Sequence, residues 1–201
     1  MNILTDILPK KVEIDGYQFE INTDFRAGIA FEMMIQKGEF DIAEILKIYY
    51  GDKIPRNIDK AISEAELFYC CGELPEIKDE TKRSEYKKQA YSFEVDAKAI
   101  FADFWRYYAI DLSQEGLHWW TFRALLNGLP EKSEFKQRAY YRTCDVKGLP
   151  KNEKKRVLKI RSMLEIKSPL SEKMTLDERN SKMIEYIKTR QKEIAGGEIN
   201  E

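Results

Sequence analysis

Alternating apolar and polar side chains near the start of the chain predict a β-hairpin. Residues 12–14 and 17–21 alternate on either side of Asp15-Gly16, and an Asp-Gly pair between two such runs is typical of a two-residue hairpin turn. The apolar side chains of both runs can face one side. Because a two-stranded sheet is only marginally stable alone, we expect a helix to cover that side.

Apolar residues at intervals of three and four predict helices along the rest of the chain. Capping residues such as Asp24 precede these segments, and a glycine or proline such as Gly38 or Pro130 follows most of them. The expected helices cover residues 25–35, 41–49, 57–70, 92–108, 117–126, 133–144, 152–166 and 175–194. The predicted fold class is therefore mainly α, a multi-helix bundle of about seven or eight helices with a short N-terminal β-hairpin.

The helix expected at 92–108 has a broad apolar side. Its members recur with the helical period, and they are Phe93, Ala97, Ile100, Phe101, Phe104, Trp105 and Tyr108. We expect these side chains to lie together on one stripe of the helix.

Charge dominates the segment around residues 76–89, which is either an exposed linker or the solvated start of the next helix. This segment divides the chain into four predicted regions. They are a hairpin with a small helical bundle at 1–75, the charged segment at 76–91, a second helical region at 92–168, and an amphipathic helix with a frayed tail at 169–201.

Composition predicts a packed core and excludes several classes of protein. Of the 201 residues, 43% are hydrophobic and 12% are aromatic, which excludes wholesale disorder. No apolar run approaches the roughly 20 residues of a membrane span, and the first residues do not have the pattern of a secretory signal. Cys70 and Cys71 are adjacent and Cys144 lies far away, so we expect free thiols and a reducing compartment such as a cytoplasm.

Charge is unevenly distributed along a chain whose net charge is only −1. Residues 1–75 carry 8 basic and 14 acidic side chains, whereas residues 123–167 carry 13 basic and 5 acidic ones. This asymmetry favours head-to-tail self-association or two differently charged partners. A solvated dipolar surface is the simpler explanation.

His118 is the single histidine and therefore the single imidazole for acid–base chemistry. No nucleophile motif accompanies it, so we expect it to pack in the core or cap a helix, or else to contact a partner, rather than to catalyse. The cysteines lack the spacing of a zinc site, and the sequence contains neither a P-loop nor a G-x-G-x-x-G motif. We therefore predict a protein that is not an enzyme and holds no metal or cofactor.

Basic side chains cluster at residues 147–167, with aromatic residues shortly before them. The combination suits a protein-binding face, a nucleic-acid surface or a solvated helix side, and the lack of overall basic charge argues against nucleic acid. Neighbouring tryptophans on one helix point about 100° apart, so we expect one of the pair at 119–120 in the core and the other at a partner. The candidate partner-binding residues are Trp119, Trp120, Tyr141, Lys154, Lys155 and Arg156.

The middle of the chain resembles a known family. Residues 117–130 read L-H-W-W-x-F-x-A-L-L-x-G-L-P and follow the aromatic segment 101–112. Together with the segment at 21–26 and the Lys-Gly-Leu-Pro-Lys turn at 147–151, they resemble the "gene-product fifteen" family of tailed phages and prophages of Gram-positive bacteria. The resemblance covers roughly residues 10–167.

The resemblance implies a tail-assembly chaperone. Genes of this family typically lie between those of the major tail protein and the tape-measure protein, so the implied partners are the tape-measure and tail-tube proteins, in the host cytoplasm. The basic segment is then expected to dock an acidic stretch of the tape measure. A structural virion protein, such as a head–tail connector or tail-completion subunit, and a nucleic-acid-binding protein are the alternatives. Self-association also remains open.

Overall fold

Seven helices follow an N-terminal hairpin in the part of the chain that the structure describes. A computed structural model describes residues 2–38, 41–73 and 89–166. Its elements are β1 (Lys11–Ile14), β2 (Tyr17–Glu20), α1 (Phe25–Lys37), α2 (Ile42–Tyr50), α3 (Ile58–Tyr69), α4 (Phe93–Tyr108), α5 (Trp119–Gly128), α6 (Glu134–Thr143) and α7 (Lys151–Met163). The fold is mainly α with one two-stranded antiparallel sheet, as predicted.

Two of the predicted segments lie largely or wholly outside these residues. The helix expected at 175–194 is outside them, and so is most of the charged segment 76–91. The division of the chain into four regions stays a prediction. None of the described helices is both long and apolar enough to span a bilayer.

The hairpin turns at the predicted residues. Asp15 and Gly16 have φ of 52° and 80°, the left-handed conformation that a two-residue type I′ turn requires at both positions. Val12 and Ile14 are buried, and α3 packs beside β1. Tyr17 pairs with Ile14 across the hairpin but is exposed. The covering helix that the hairpin was expected to need is therefore α3.

α1 lies at the centre of the fold and contacts α2, α4 and α5. It begins at Asp24, whose carboxylate accepts a hydrogen bond from the backbone N–H of Arg26. It ends at Gly38, which has φ of 71° and donates its N–H to the carbonyl of Ile35. The predicted cap and stop residues are both confirmed.

Stacked aromatic rings join α1, α4 and α5 in the core. The Phe122 ring centroid lies 4.9 Å from that of Phe25 and 5.1 Å from that of Phe104. Trp119 stacks on the same ring at 5.8 Å. One hydrophobic cluster extends from β1 to α6, so elements from both sides of the charged segment share a core.

Backbone hydrogen bonds fix the start of α5 against the start of α1. The N–H of Phe25 donates to the carbonyl of Leu117, and the N–H of Trp119 donates to the carbonyl of Thr23. The guanidinium of Arg26 donates to two carbonyls in the connection between α4 and α5. These bonds therefore fix the position of the start of α5 relative to α1.

Charged side chains join α4 to α6. Asp96 is fully buried and accepts two hydrogen bonds from the guanidinium of Arg142, at 2.6 and 2.9 Å. Asp103, one heptad further along α4, accepts from the backbone N–H groups of Glu134 and Phe135 and so caps α6. Both aspartates therefore lie on the side of α4 that faces α6.

The stripe predicted on α4 is wrong in part. Three of its members are buried, namely Phe93, Ile100 and Phe104. Three others are exposed, namely Ala97, Phe101 and Trp105. Asp96 and Asp103 share the buried side of α4 with Phe93, Ile100 and Phe104. Both carboxylates can be buried because their hydrogen bonds to α6 compensate for their desolvation.

α7 is tied to the rest of the structure largely by arginine side chains. Arg161 donates to the carbonyl of Tyr141 at 2.9 Å, and Arg142 of α6 donates to the carbonyl of Leu164 at 2.7 Å. Val157 is buried, whereas most other side chains of the helix are exposed. α7 therefore presents a long side to solvent.

Candidate partner-binding surface

Both tryptophans of α5 lie in the core. Trp119 is 0% exposed and Trp120 is 7% exposed. Their indole N–H groups donate to the carbonyls of Tyr69 and Phe68 at 2.8 and 2.7 Å. The two rings point in different directions, but both indole N–H groups bond to residues at the end of α3, and α1 packs against α5.

This enclosure means that neither indole offers surface to a partner in this structure. Gly28 of α1 allows the close approach, because a Cβ atom there would stand 2.2 Å from the ring of Trp119. A partner-binding role for Trp119 and Trp120 stays a prediction, and it would require the core to open.

His118 caps α5, which confirms the structural role expected for it. Its Nδ1 accepts a hydrogen bond from the backbone N–H of Trp120, and its Nε2 lies 2.9 Å from the carbonyl oxygen of Pro9. Because Nδ1 accepts, Nε2 carries the proton and donates it to Pro9. Partial burial lowers the pKa of this imidazole, while the bond to Pro9 opposes the shift.

Acidic, histidine and cysteine side chains do not gather into a metal-ligand set anywhere in residues 2–38, 41–73 and 89–166. The three cysteines are free thiols. Burial raises the pKa of the Cys70 thiol to about 11, which disfavours the reactive thiolate at neutral pH.

The candidate residues near the C-terminal helices have unequal exposure. Tyr141 is half-buried, and its ring packs edge-on against that of Tyr140, with centroids 5.4 Å apart. Tyr140 is the more exposed of the two. Tyr140, the neighbour of the predicted Tyr141, is therefore the side chain that faces solvent.

Lys154, Lys155 and Arg156 are all exposed on α7. Consecutive helical residues point about 100° apart, so these three do not form one face. Lys155 instead shares a side with Lys151 and Lys159, each four residues from the next. We call Lys151, Lys155 and Lys159 the lysine ridge. Partner binding by the three predicted residues stays a prediction.

Arginines in and just before the basic cluster serve the fold. Arg161 of the cluster bonds backbone carbonyls. In the preceding α6, Arg142 pairs with the buried Asp96, and Arg138 pairs with Glu134 one turn earlier and with Asp96. Basic residues that are close in sequence therefore have two roles: these arginines make internal bonds, and the lysines of the ridge face solvent.

A second exposed feature was missed in the sequence. Ala97, Phe101 and Trp105 lie four residues apart along α4 and form one outward ridge, which we call the α4 outer face. Trp105 is 57% exposed and Phe101 is 40% exposed. Exposed tryptophan and other large aromatic side chains mark interaction sites more often than exposed small or aliphatic side chains do.

The aspartates at 96 and 103 explain why the sequence pattern did not reveal this face. Their heptad spacing places them on one side of the helix, and two carboxylates on the side opposite an aromatic ridge would ordinarily predict a buried ridge. The sequence does not show that Arg142 and the start of α6 receive those carboxylates. The orientation of α4 therefore required the structure.

Comparisons with known proteins place the chain in a family. Residues 4–166 match the family described as "Bacteriophage Gp15 protein". The match nearly coincides with the 10–167 resemblance and contains both the lysine ridge and the α4 outer face. No curated protein and no solved structure matched the chain. Since the match covers most of the 201 residues, the chain belongs to the Bacteriophage Gp15 protein family.

Proposed function

We propose that this phage protein is a non-enzymatic tail-assembly chaperone that binds the tape-measure protein and helps to assemble the tail tube in the host cytoplasm. Its membership in a bacteriophage family supports a role in a phage. The finer role rests on the position of the family's genes beside those of tape-measure proteins and on the surface of the described residues.

The α4 outer face is the observation that carries the proposal. The fold buries the aromatic rings of Phe104, Phe122, Trp119 and Trp120 but leaves Trp105 of α4 exposed. Burying the exposed parts of the Phe101 and Trp105 rings against a partner stabilises the complex by about 2–4 kcal/mol.

The spacing of this face suits a helical partner. Side chains four residues apart form a ridge that fits the groove of another helix, and the small Ala97 at one end lets a partner helix approach closely. Lys98 and Arg106 are exposed on α4 near these residues. The best-fitting partner is therefore an amphipathic helix that carries acidic residues beside its apolar stripe.

A tape-measure protein offers such helices in quantity, because it is long and rich in helix. Apolar stripes left uncovered before the tail assembles promote aggregation. A small protein that covers these stripes reversibly keeps the tape measure soluble until tail-tube subunits replace it. No turnover is needed for this role.

Co-expression with the long helical protein encoded by the neighbouring gene tests the proposal. The Phe101→Ser/Trp105→Ser variant is expected to reduce the co-purified partner at least tenfold and to lower its soluble fraction. The matched control, Tyr17→Ser/Tyr140→Ser, removes two exposed aromatic rings from other elements and is expected to behave like the native chain. Thermal unfolding of both variants verifies that they fold.

Two results would contradict the proposal. One is undiminished co-purification with the Phe101→Ser/Trp105→Ser variant. The other is the presence of the protein as a stoichiometric component of purified virions, since an assembly chaperone leaves the finished particle and a connector or completion subunit does not.

A further inference from the structure

Among the described residues, the lysine ridge is an exposed cationic face without a counter-charge. α7 carries six basic side chains and one acidic side chain. In the described part of the chain, Lys151, Lys155 and Lys159 have no salt-bridge partner. Leu158 and Met163 are 42% and 76% exposed on the same helix. This side of α7 therefore combines positive charge with uncovered apolar surface.

The hairpin and α3 form a surface of the opposite kind. Glu13 of β1 and Glu64 of α3 have no cationic partner among the described residues, and Ile58 is exposed on α3. We call Glu13, Glu64 and Ile58 the hairpin–α3 surface. Partial burial raises the pKa of Glu64, and the nearby Glu13 carboxylate raises it further. A cation brought between the two carboxylates would relieve that repulsion.

The two surfaces are complementary in charge and alike in having uncovered apolar groups. They also belong to the halves of the chain whose charges differ most, since residues 1–75 have a net charge of −6 and residues 123–167 have +8. With a total charge of only −1, two copies do not repel each other strongly at a distance. The oppositely charged surfaces of two copies instead attract each other.

We infer that the chain self-associates, with the lysine ridge of one copy docked on the hairpin–α3 surface of a second copy. Contact between two different surfaces gives a ring or a symmetric dimer when the rotation from one copy to the next closes, and an open chain when it does not. The α4 outer face belongs to neither surface and remains free for the tape measure.

Salt is the first test, because an interface of this type depends on exposed charges. Analytical ultracentrifugation of the purified full chain in low salt is expected to show species heavier than the 23.7 kDa monomer, increasing with protein concentration. Near 1 M salt the Debye length falls to about 3 Å, and the heavier species are expected to dissociate. A monomer at every salt and protein concentration overturns the inference.

Charge reversal identifies the two surfaces. The variant Lys151→Glu/Lys155→Glu/Lys159→Glu and the variant Glu13→Lys/Glu64→Lys are each expected to associate at least tenfold more weakly than the native chain. Mixed together, they present complementary charges again and are expected to recover association. A matched control, Lys98→Glu/Arg106→Glu/Lys132→Glu, changes the net charge as much as the ridge variant does and is expected to associate normally. A mixture that stays monomeric contradicts the inference.

Other occupants of the ridge give different results. If the native chain is monomeric and the ridge variant loses only the tape measure, the ridge binds that protein and the inference is wrong. Salt-sensitive binding of duplex DNA by a monomeric native chain overturns it as well. The Phe101→Ser/Trp105→Ser variant is expected to self-associate normally, so failure of the chaperone proposal and failure of this inference are distinguishable.

Discussion

The core around α1 and α5 and the junction of α4, α6 and α7 are stabilised by different interactions. In the core, stacked rings such as Phe25, Phe122 and Trp119 exclude water over a wide area. At the junction, the buried Asp96 and Arg142 and a few backbone carbonyls form a network of hydrogen bonds beside the apolar contacts of Phe135. Apolar burial is divided among many contacts, whereas a buried charge requires its partner in place.

The difference teaches where small changes have large effects. Loss of a methylene in the core weakens many contacts slightly, and the neighbouring side chains adjust in part. Loss of the Arg142 guanidinium at the junction removes the two short hydrogen bonds to the buried Asp96 and leaves it only the longer contact with Arg138, at 3.4 Å. The two regions can therefore be distinguished by substitution.

The largest effect is expected at the junction. Arg142→Met is predicted to lower the free energy of unfolding by about 3–5 kcal/mol, because Asp96 stays buried without its bidentate partner. Denaturant unfolding measures the change. The exposed Arg156→Met, a matched loss of one guanidinium, is expected to change it by less than about 0.5 kcal/mol.

The double variant Asp96→Leu/Arg142→Met sharpens this comparison. Replacement of both members of a buried ion pair by apolar residues is often neutral or stabilising, so much of the lost stability is expected to return. If the Arg142→Met and double variants are equally unstable, the buried charge of Asp96 does not cause the loss of stability. The junction would then depend on apolar packing, as the core does.

In the core the expected effect is smaller and has an unusual sign. Gly28→Ala would stabilise an ordinary helix interior by about 1 kcal/mol. Here its Cβ would stand 2.2 Å from the Trp119 ring, so we expect a loss of about 1–3 kcal/mol from overpacking. In a Trp119→Leu background, which removes the obstructing ring, the same substitution is expected to cost nothing. A stabilising Gly28→Ala in the native background would show that the two helices separate easily.

The sequence predicted the core better than the junction, for a physical reason. Hairpin turns and helix caps are local, so Asp15-Gly16, Asp24 and Gly38 could be read from neighbouring residues. The spacing of apolar residues predicted the helices of the core because burial there follows the helical period. These features required no knowledge of distant contacts.

The orientation of α4 depends on residues that are far away in sequence. Asp96 pairs with Arg142, 46 residues later, and Asp103 caps a helix that begins 31 residues later. Apolar periodicity alone assigns Phe101 and Trp105 to the buried side. The candidate surface consequently differs from the predicted one, with Trp119 and Trp120 in the core and Trp105 outside.

The smallest effect concerns His118, where the core meets the N-terminal segment. Its pKa in the folded protein is below the ordinary value of 6.5, mainly because of partial burial. The unfolded chain therefore takes up a proton first as the pH falls, so the stability that neutral His118 provides is complete above about pH 6.5 and is lost below it. Protonation at Nδ1 also removes the acceptor for the N–H of Trp120.

His118→Asn is the variant that isolates this effect. Asparagine keeps an oxygen that caps the helix but does not titrate, so the stability of the native chain relative to the variant is expected to fall by less than about 1 kcal/mol between pH 7 and pH 5. Burial raises the pKa of Glu32, which works in the opposite direction; because both proteins contain Glu32, its contribution cancels in the difference. Denaturant unfolding at a series of pH values measures that difference. A difference that stays constant with pH would mean that His118 caps α5 equally well when charged, and the hydrogen bond from Trp120 would then not hold the start of the helix.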